Sequence, residues 1–128
     1  MLHPLLERYQ AAVFAKDVDA FLSLFADDLR VFDMWGEWIH EGKPAWKKMA
    51  ADWFGSLGEE KVRVDCEDVK EFPGALTAIL RFTALDAQGK ELRSLQNRLT
   101  WVIANGKIVH EHTSSPIDHA TLKAKLQR

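Results

Sequence analysis

The chain predicts an α+β fold in which helices pack on one concave sheet face. Three observations predict it. Apolar residues recur at helical spacing mainly in the first half of the 128 residues. Alternating and apolar strand-like runs fill the second half. Near the end, Asn105-Gly106 stands between two apolar-rich runs, among the stronger short-range hairpin signals a sequence carries.

Taken in order, Leu2, Leu5, Leu6, Tyr9 and Val13 form one stripe, predicting a helix over about residues 3–16. Asp17 caps a second helix, with Val18, Phe21, Leu22 and Phe25 on one face and Asp27-Asp28 at its end. A short strand follows over Leu29–Trp35, with a turn at Gly36 and a shorter strand at Trp38-Ile39-His40. Gly42-Lys43-Pro44 opens a third helix, proline being harmless in the first turn, with Trp46, Met49, Ala50, Trp53, Phe54 and Leu57 inward. Val62–Glu67 alternates like a half-exposed strand. Pro73-Gly74 turns the chain into a strand over Ala75–Leu85, with Leu76, Ala78, Leu80 and Phe82 on one side. Asp86–Lys90 turns it again into Glu91–Ile103, and the hairpin arm Ile108–Ser114 completes the sheet. Pro116 stops that arm, and a short helix over about Asp118–Leu126 closes the chain.

This length suits one domain, residues 1–128, able to bury a real core. A hydrophobic fraction of 47% with 28% charged residues is that of a soluble globular chain. A net charge of -2 supplies no basic field for nucleic acid. No apolar run approaches the roughly 18 residues that cross a bilayer, and the opening lacks a signal-peptide centre. The single cysteine, Cys66, leaves no internal disulfide and fits a reducing cytoplasm. Five tryptophans and seven phenylalanines suit a lined cavity or a subunit interface, with a plain aromatic core as the simpler account.

Strand alternation places Arg98, Thr100 and Val102 on one side of the first hairpin arm, and His110, His112 and Ser114 on one side of the second. If the two sets face the same way, they converge on one polar surface suited to a pocket. His110 and His112 suit hydrogen bonding or proton transfer, against a solvated strand end; no further ligand completes a metal site. Arg98 needs an anionic partner, either a carboxylate such as Asp33 or a bound carboxylate ligand. Asp33, between Phe32 and Met34, loses hydration as a general base would, unless it faces solvent or caps the Gly36 turn. Tyr9 either packs in the core or donates its hydroxyl into a cavity. Trp35 and Trp53 offer aromatic surface to a ligand, although the third-helix stripe also reads as core. No nucleophilic triad or phosphate loop stands out.

The pattern Arg8-Tyr9-x-x-x-Val13, Asp17-Val18-Asp19-Ala20, then Phe25-Ala26-Asp27-Asp28-x-x-Val31-x-Asp33 resembles the opening of the ketosteroid isomerase and SnoaL-like families of the nuclear transport factor 2-like superfamily. Gly42-Lys43-Pro44-Ala45-Trp46 and Trp53-Phe54 fit the third helix of that fold. The resemblance implies a cone-shaped, curved antiparallel or mixed sheet around a mostly apolar pocket (a cystatin-like roll) and a homodimer formed through the sheet. It carries Tyr9 onto an oxyanion donor and Asp33 onto a proton shuttle. The isomerase's second, protonated-aspartate donor falls at Arg98, a departure from that mechanism. Arg98-x-Thr100, Asn105-Gly106-Lys107 and His110-x-His112-x-Ser114 are similar to the end of the calcium/calmodulin-dependent kinase association domain.

Two functions follow as expectations. One is an acid–base isomerase, cyclase or dehydratase needing no cofactor. Asp33 would move the proton, Tyr9, His110 or His112 would be the partner acid, and Arg98, Thr100, Trp35, Trp53 and Ser114 would hold an apolar or polyketide-like substrate with an anionic or enolisable oxygen. The other is a non-catalytic small-molecule-binding or homo-oligomerisation module.

Overall fold

Proline at the first turn and an imidazole cap start the chain's first helix, α1 (Pro4–Ala15), where Nδ1 of His3 accepts from the Leu5 N–H at 3.1 Å. The computed structural model describes residues 2–34, 39–115, 123, 124 and 126. Leu5, Leu6, Tyr9, Ala12 and Val13 form the buried stripe of α1. Lys16 ends it in the left-handed region, φ 54°, and its Nζ reaches the carbonyls of Gly58 and Glu60 at 2.7 and 2.9 Å.

Asp17 caps α2 (Val18–Leu22) by accepting from the Ala20 N–H at 3.0 Å. This helix is shorter than its apolar stripe predicts. Ser23 Oγ donates to the Ala20 carbonyl, and the Ile108 N–H bonds the Leu24 carbonyl at 2.9 Å, drawing the chain into the sheet. Phe25 therefore begins a strand, β1 (Phe25–Phe32), and Asp27-Asp28 lie in an irregular part of it instead of ending a helix. Tertiary pairing has overridden local periodicity. Asp33 follows directly after the strand. Trp35, the Gly36 turn and Trp38 lie outside the described residues, and β2 comprises Ile39–Glu41.

Gly42, at φ 81°, supplies the backbone turn that starts α3 (Lys43–Ser56), with its N–H on the Leu29 carbonyl at 2.8 Å. Trp46, Ala50 and Phe54 are buried, with Met49, Trp53 and Leu57 packed alongside. The sheet continues through β3 (Lys61–Phe72), β4 (Ala75–Leu85), β5 (Glu91–Ala104) and β6 (Lys107–Ser114). β3 runs past its predicted end at Glu67 by way of an irregularity at Asp68, φ 49°. Asn105 and Gly106, at φ 52° and 75°, make the tight turn between β5 and β6. Residues 123, 124 and 126 are helical; the rest of the expected closing helix, and the strand stop at Pro116, lie outside the described residues.

The strands order as β2-β1-β6-β5-β4-β3, antiparallel throughout except for the parallel pair β1 and β6. The result is the expected α+β roll: a curved mixed sheet with three helices on its concave face. Leu76, Ala78 and Leu80 face inward against the helices, as their alternation predicts. Phe21 is the hub of the core, its ring within 6.5 Å of those of Tyr9, Phe25, Trp46, Trp53 and Phe54. Burying such a ring contributes about 3 kcal/mol. No helix among the described residues is long and apolar enough to cross a membrane.

Candidate functional site

A cavity of about 380 Å³ opens between the helices and the inner sheet face. Its walls are mainly apolar, including Phe21, Trp46, Trp53, Phe82 and Leu99. Its polar groups are Tyr9, Asp33, Asn97, Glu111 and Thr113, all at most 6% exposed. Leu95 and Arg93 lie at its exposed end, where Arg93 pairs with Glu60 at 2.7 Å. The polar groups are therefore buried while the cation sits at the rim.

Strand register aims the buried set. His40, Val31, Glu111, Trp101 and Leu76 stand in one row across β2, β1, β6, β5 and β4, and so share the inner face. Just beyond β1, the chain is clamped by Thr113, whose Oγ1 accepts from the Met34 N–H at 3.0 Å and lies 3.5 Å from the Phe32 carbonyl. Asp33 is held between those two contacts. Its Oδ2 is 3.6 Å from Nε2 of His40, an ion-pair distance longer than a hydrogen bond, with both side chains nearly enclosed.

Glu111 receives a hydrogen bond from Nε1 of Trp101 at 2.8 Å. Burial pushes the Glu111 carboxyl up to about 7; the indole bond opposes that shift and the charge of Asp33 adds to it. Tyr9 is pushed well above its ordinary value by burial and then by the charges of Glu111, Asp33 and Cys66. The floor of the cavity can therefore hold two protonated donors, Tyr9 and Glu111, close to the Asp33 carboxylate. A buried carboxyl that keeps its proton can donate a hydrogen bond to a ligand oxygen.

Tyr9, Asp33 and Trp53 thus line one cavity. Arg98, Thr100, His110, His112 and Ser114 do not. These five do share a face, since Arg98 pairs with Ser114 and Thr100 with His112, but it is the outer face of the sheet. The expectation that they wall a pocket is corrected. Arg98 finds its carboxylate in Asp68 at 3.4 Å, not in Asp33. His110 and His112 stack near Phe32, at 5.4 and 5.9 Å between ring centres. Trp35 lies outside the described residues.

The physical reason is a bulge. A two-residue turn pairs Ala104 with Lys107 and Ile103 with Ile108, but beyond it Val102 pairs with His110. Val109 is the extra residue. Paired without a bulge, the strand would set His110 opposite Trp101 inside the fold; with Val109 left over, Glu111 stands there. Glu111 and Thr113 were therefore missed as site residues; Asn97 on β5, Trp46 in the third-helix stripe and His40 beside Asp33 were missed for want of any local signal. The adjacent apolar pair Ile108-Val109 was the one trace of the bulge in the sequence, because a regular half-exposed strand would alternate there. Among the described residues, no group of three or more His, Cys, Asp or Glu side chains is placed to hold a metal ion.

The SnoaL-like domain family matches residues 6–111. No curated protein matches the chain. Among solved structures, an NTF2-like protein from Anabaena variabilis superposes with a TM-score of 0.73 at 15% identity, covering 92% of this chain and 96% of that one. The Delta 5-3-ketosteroid isomerase from Mycobacterium sp. gives 0.64 at 22% identity, over 86% and 88% of the two chains. A candidate calcium/calmodulin-dependent protein kinase type II association domain from Thiobacillus denitrificans gives 0.69 at 14% identity, over 89% and 93%. At these identities the likeness is one of fold.

Proposed function

The chain belongs to the SnoaL-like domain family, and from that premise we propose that its cavity performs acid–base chemistry on a neutral, largely apolar, enolisable ketone. The reaction is of isomerase, cyclase or dehydratase type. Asp33 takes a proton from the carbon beside the carbonyl. As that C–H bond breaks, its electron pair moves toward the carbonyl oxygen, where Tyr9 and Glu111 donate hydrogen bonds to the developing enolate. The proton held on Asp33 then returns to carbon at the same or another position.

The observation that carries this reading is the meeting of Tyr9, Asp33 and Glu111 at the buried end of one apolar cavity. The charge distribution favours a neutral substrate. Arg93 is the only Lys or Arg side chain among the described lining residues, and it is already paired with Glu60. An anionic substrate would meet the Asp33 carboxylate while Arg93, the one Lys or Arg of the described lining, stays at the rim with Glu60.

Deuterium exchange tests the proposal without a known substrate. In D₂O, the protein should speed exchange at the α-carbon of 2-tetralone at least tenfold over buffer, read by proton NMR. Asp33→Asn should return the rate to the buffer value with the fold intact by circular dichroism. A wild-type rate equal to buffer, or an undiminished Asp33→Asn rate, would overturn the assignment.

A second reading draws on the His40–Asp33 pair, which would make Asp33 a brace inside a non-catalytic binding module. That module would bind 2-tetralone with no exchange above buffer. On either reading the outer sheet face, where Val102 is 41% exposed opposite His110, supports assembly of a homodimer, checked by light scattering.

A further inference from the structure

Two buried polar atoms in the cavity lining have no hydrogen-bond partner: Nε1 of Trp46 and Oδ1 of Asn97. Their side chains are 3% and 2% exposed. They come from different walls, Trp46 from α3 and Asn97 from the inner face of β5, where it pairs across to Leu80. Buried polar atoms in folded proteins are nearly always bonded, so unmade bonds on a cavity wall mark places where the occupant supplies the partner.

The two atoms ask for opposite things. An indole N–H can only donate, so it needs an acceptor; an amide oxygen needs a donor. Tyr9 and Glu111 already provide donors for a reacting carbonyl. A ketone with no other polar group brings acceptors only and leaves Asn97 Oδ1 dry. We propose that the natural ligand is a hydroxy ketone, whose hydroxyl group donates to Asn97 while one of its oxygens accepts from Trp46. This inference rests on the acid–base reading for the ketone and adds the hydroxyl. Water can serve both atoms before a ligand binds, but an apolar group that displaces it restores neither bond. The same logic gives specificity, because a site with a buried acceptor rejects an analogue that lacks the donor.

The test is a matched ligand series measured by isothermal titration calorimetry. It compares 2-tetralone, its 5-, 6- and 7-hydroxy derivatives, and the corresponding methoxy compounds, which keep the oxygen and lose the donor. At least one hydroxy isomer should bind tenfold or more tightly than 2-tetralone, and its methoxy counterpart should lose that advantage. Asn97→Leu should abolish the advantage, and Trp46→Phe should weaken the favoured hydroxy ketone several-fold. Equal affinity across the series, an advantage retained by the methoxy compounds, or no binding by any member would overturn the proposal. The ligand series needs only the wild-type protein, so a variant that fails to fold does not decide the outcome. Tight hydroxy-ketone binding without α-exchange would sink the acid–base reading and leave this one standing; exchange without a hydroxyl preference would do the reverse.

Discussion

Trp101 and Glu111 face each other across β5 and β6, and the indole N–H donates to a carboxyl oxygen 2.8 Å away with both side chains almost fully buried. The bond fixes one oxygen of Glu111 and leaves the other for the cavity that Glu111 lines. It also holds a carboxyl whose proton stays on to about pH 7, where an ordinary glutamate would lose it near 4.5. The pair joins the deepest part of the core to the chemistry of the floor.

Stability should therefore depend on pH through Glu111. Between pH 4.5 and about 7 the folded chain binds a proton that the unfolded chain has released. The contribution is full below the lower value, falls as pH rises, and is lost above the upper one, a change of about 3 kcal/mol. Urea denaturation should show this decline in the wild type. Glu111→Gln should flatten it and be the more stable protein at pH 8. A wild-type profile that stays flat or rises from pH 5 to 8 would contradict the role of Glu111.

Thr113→Val should disturb Asp33 without touching it. The change removes the acceptor for the Met34 N–H while keeping the side chain's shape. The expected loss is about 1–2 kcal/mol of stability by urea denaturation, since a part-buried donor is left unmade. The α-exchange rate at saturating 2-tetralone should fall several-fold with little change in Kd. Loss of affinity instead of rate would mean that Thr113 contacts the ligand and does not position the base.

Arg98→Ala should do almost nothing. Its guanidinium is part-exposed on the outer face and its contact with Asp68 is 3.4 Å. Surface pairs of this kind are worth about 0–1 kcal/mol. Both the urea midpoint and the affinity for 2-tetralone should stay near wild type. A clear loss of ligand affinity would place Arg98 back in contact with the cavity.

Much of the fold was legible because it rests on local signals. Pro4 and Pro44, the stripe from Leu5 to Val13, the alternation from Leu76 to Phe82 and the Asn105-Gly106 turn each mark an element by its own chemistry. The α2–β1 boundary was not legible, since Phe25 completes a helical stripe that only its distant pairing with Ile108 overrides. Of the site, Tyr9 and Asp33 could be singled out from residue type and resemblance, and both line the cavity. Glu111 was hidden by its two neighbours. His110 and His112 drew attention as titrating groups, and which of the three faces inward is decided by one unpaired residue whose only trace is the pair Ile108-Val109.

That residue gives the last strand two readings frames of chemistry. With Val109 bulged out, the interior meets an acid beside Trp101; paired regularly onward from the tight turn, the same strand would bring His110 to that position and His112 opposite Leu99. A slip of one residue along β5 would then exchange a carboxyl-floored pocket for an imidazole-bearing one with the sequence unchanged, whereas deleting Val109 would absorb the bulge and leave Glu111 opposite Trp101. In this scaffold, the pairing of one strand is as decisive for the cavity's chemistry as the identity of its residues.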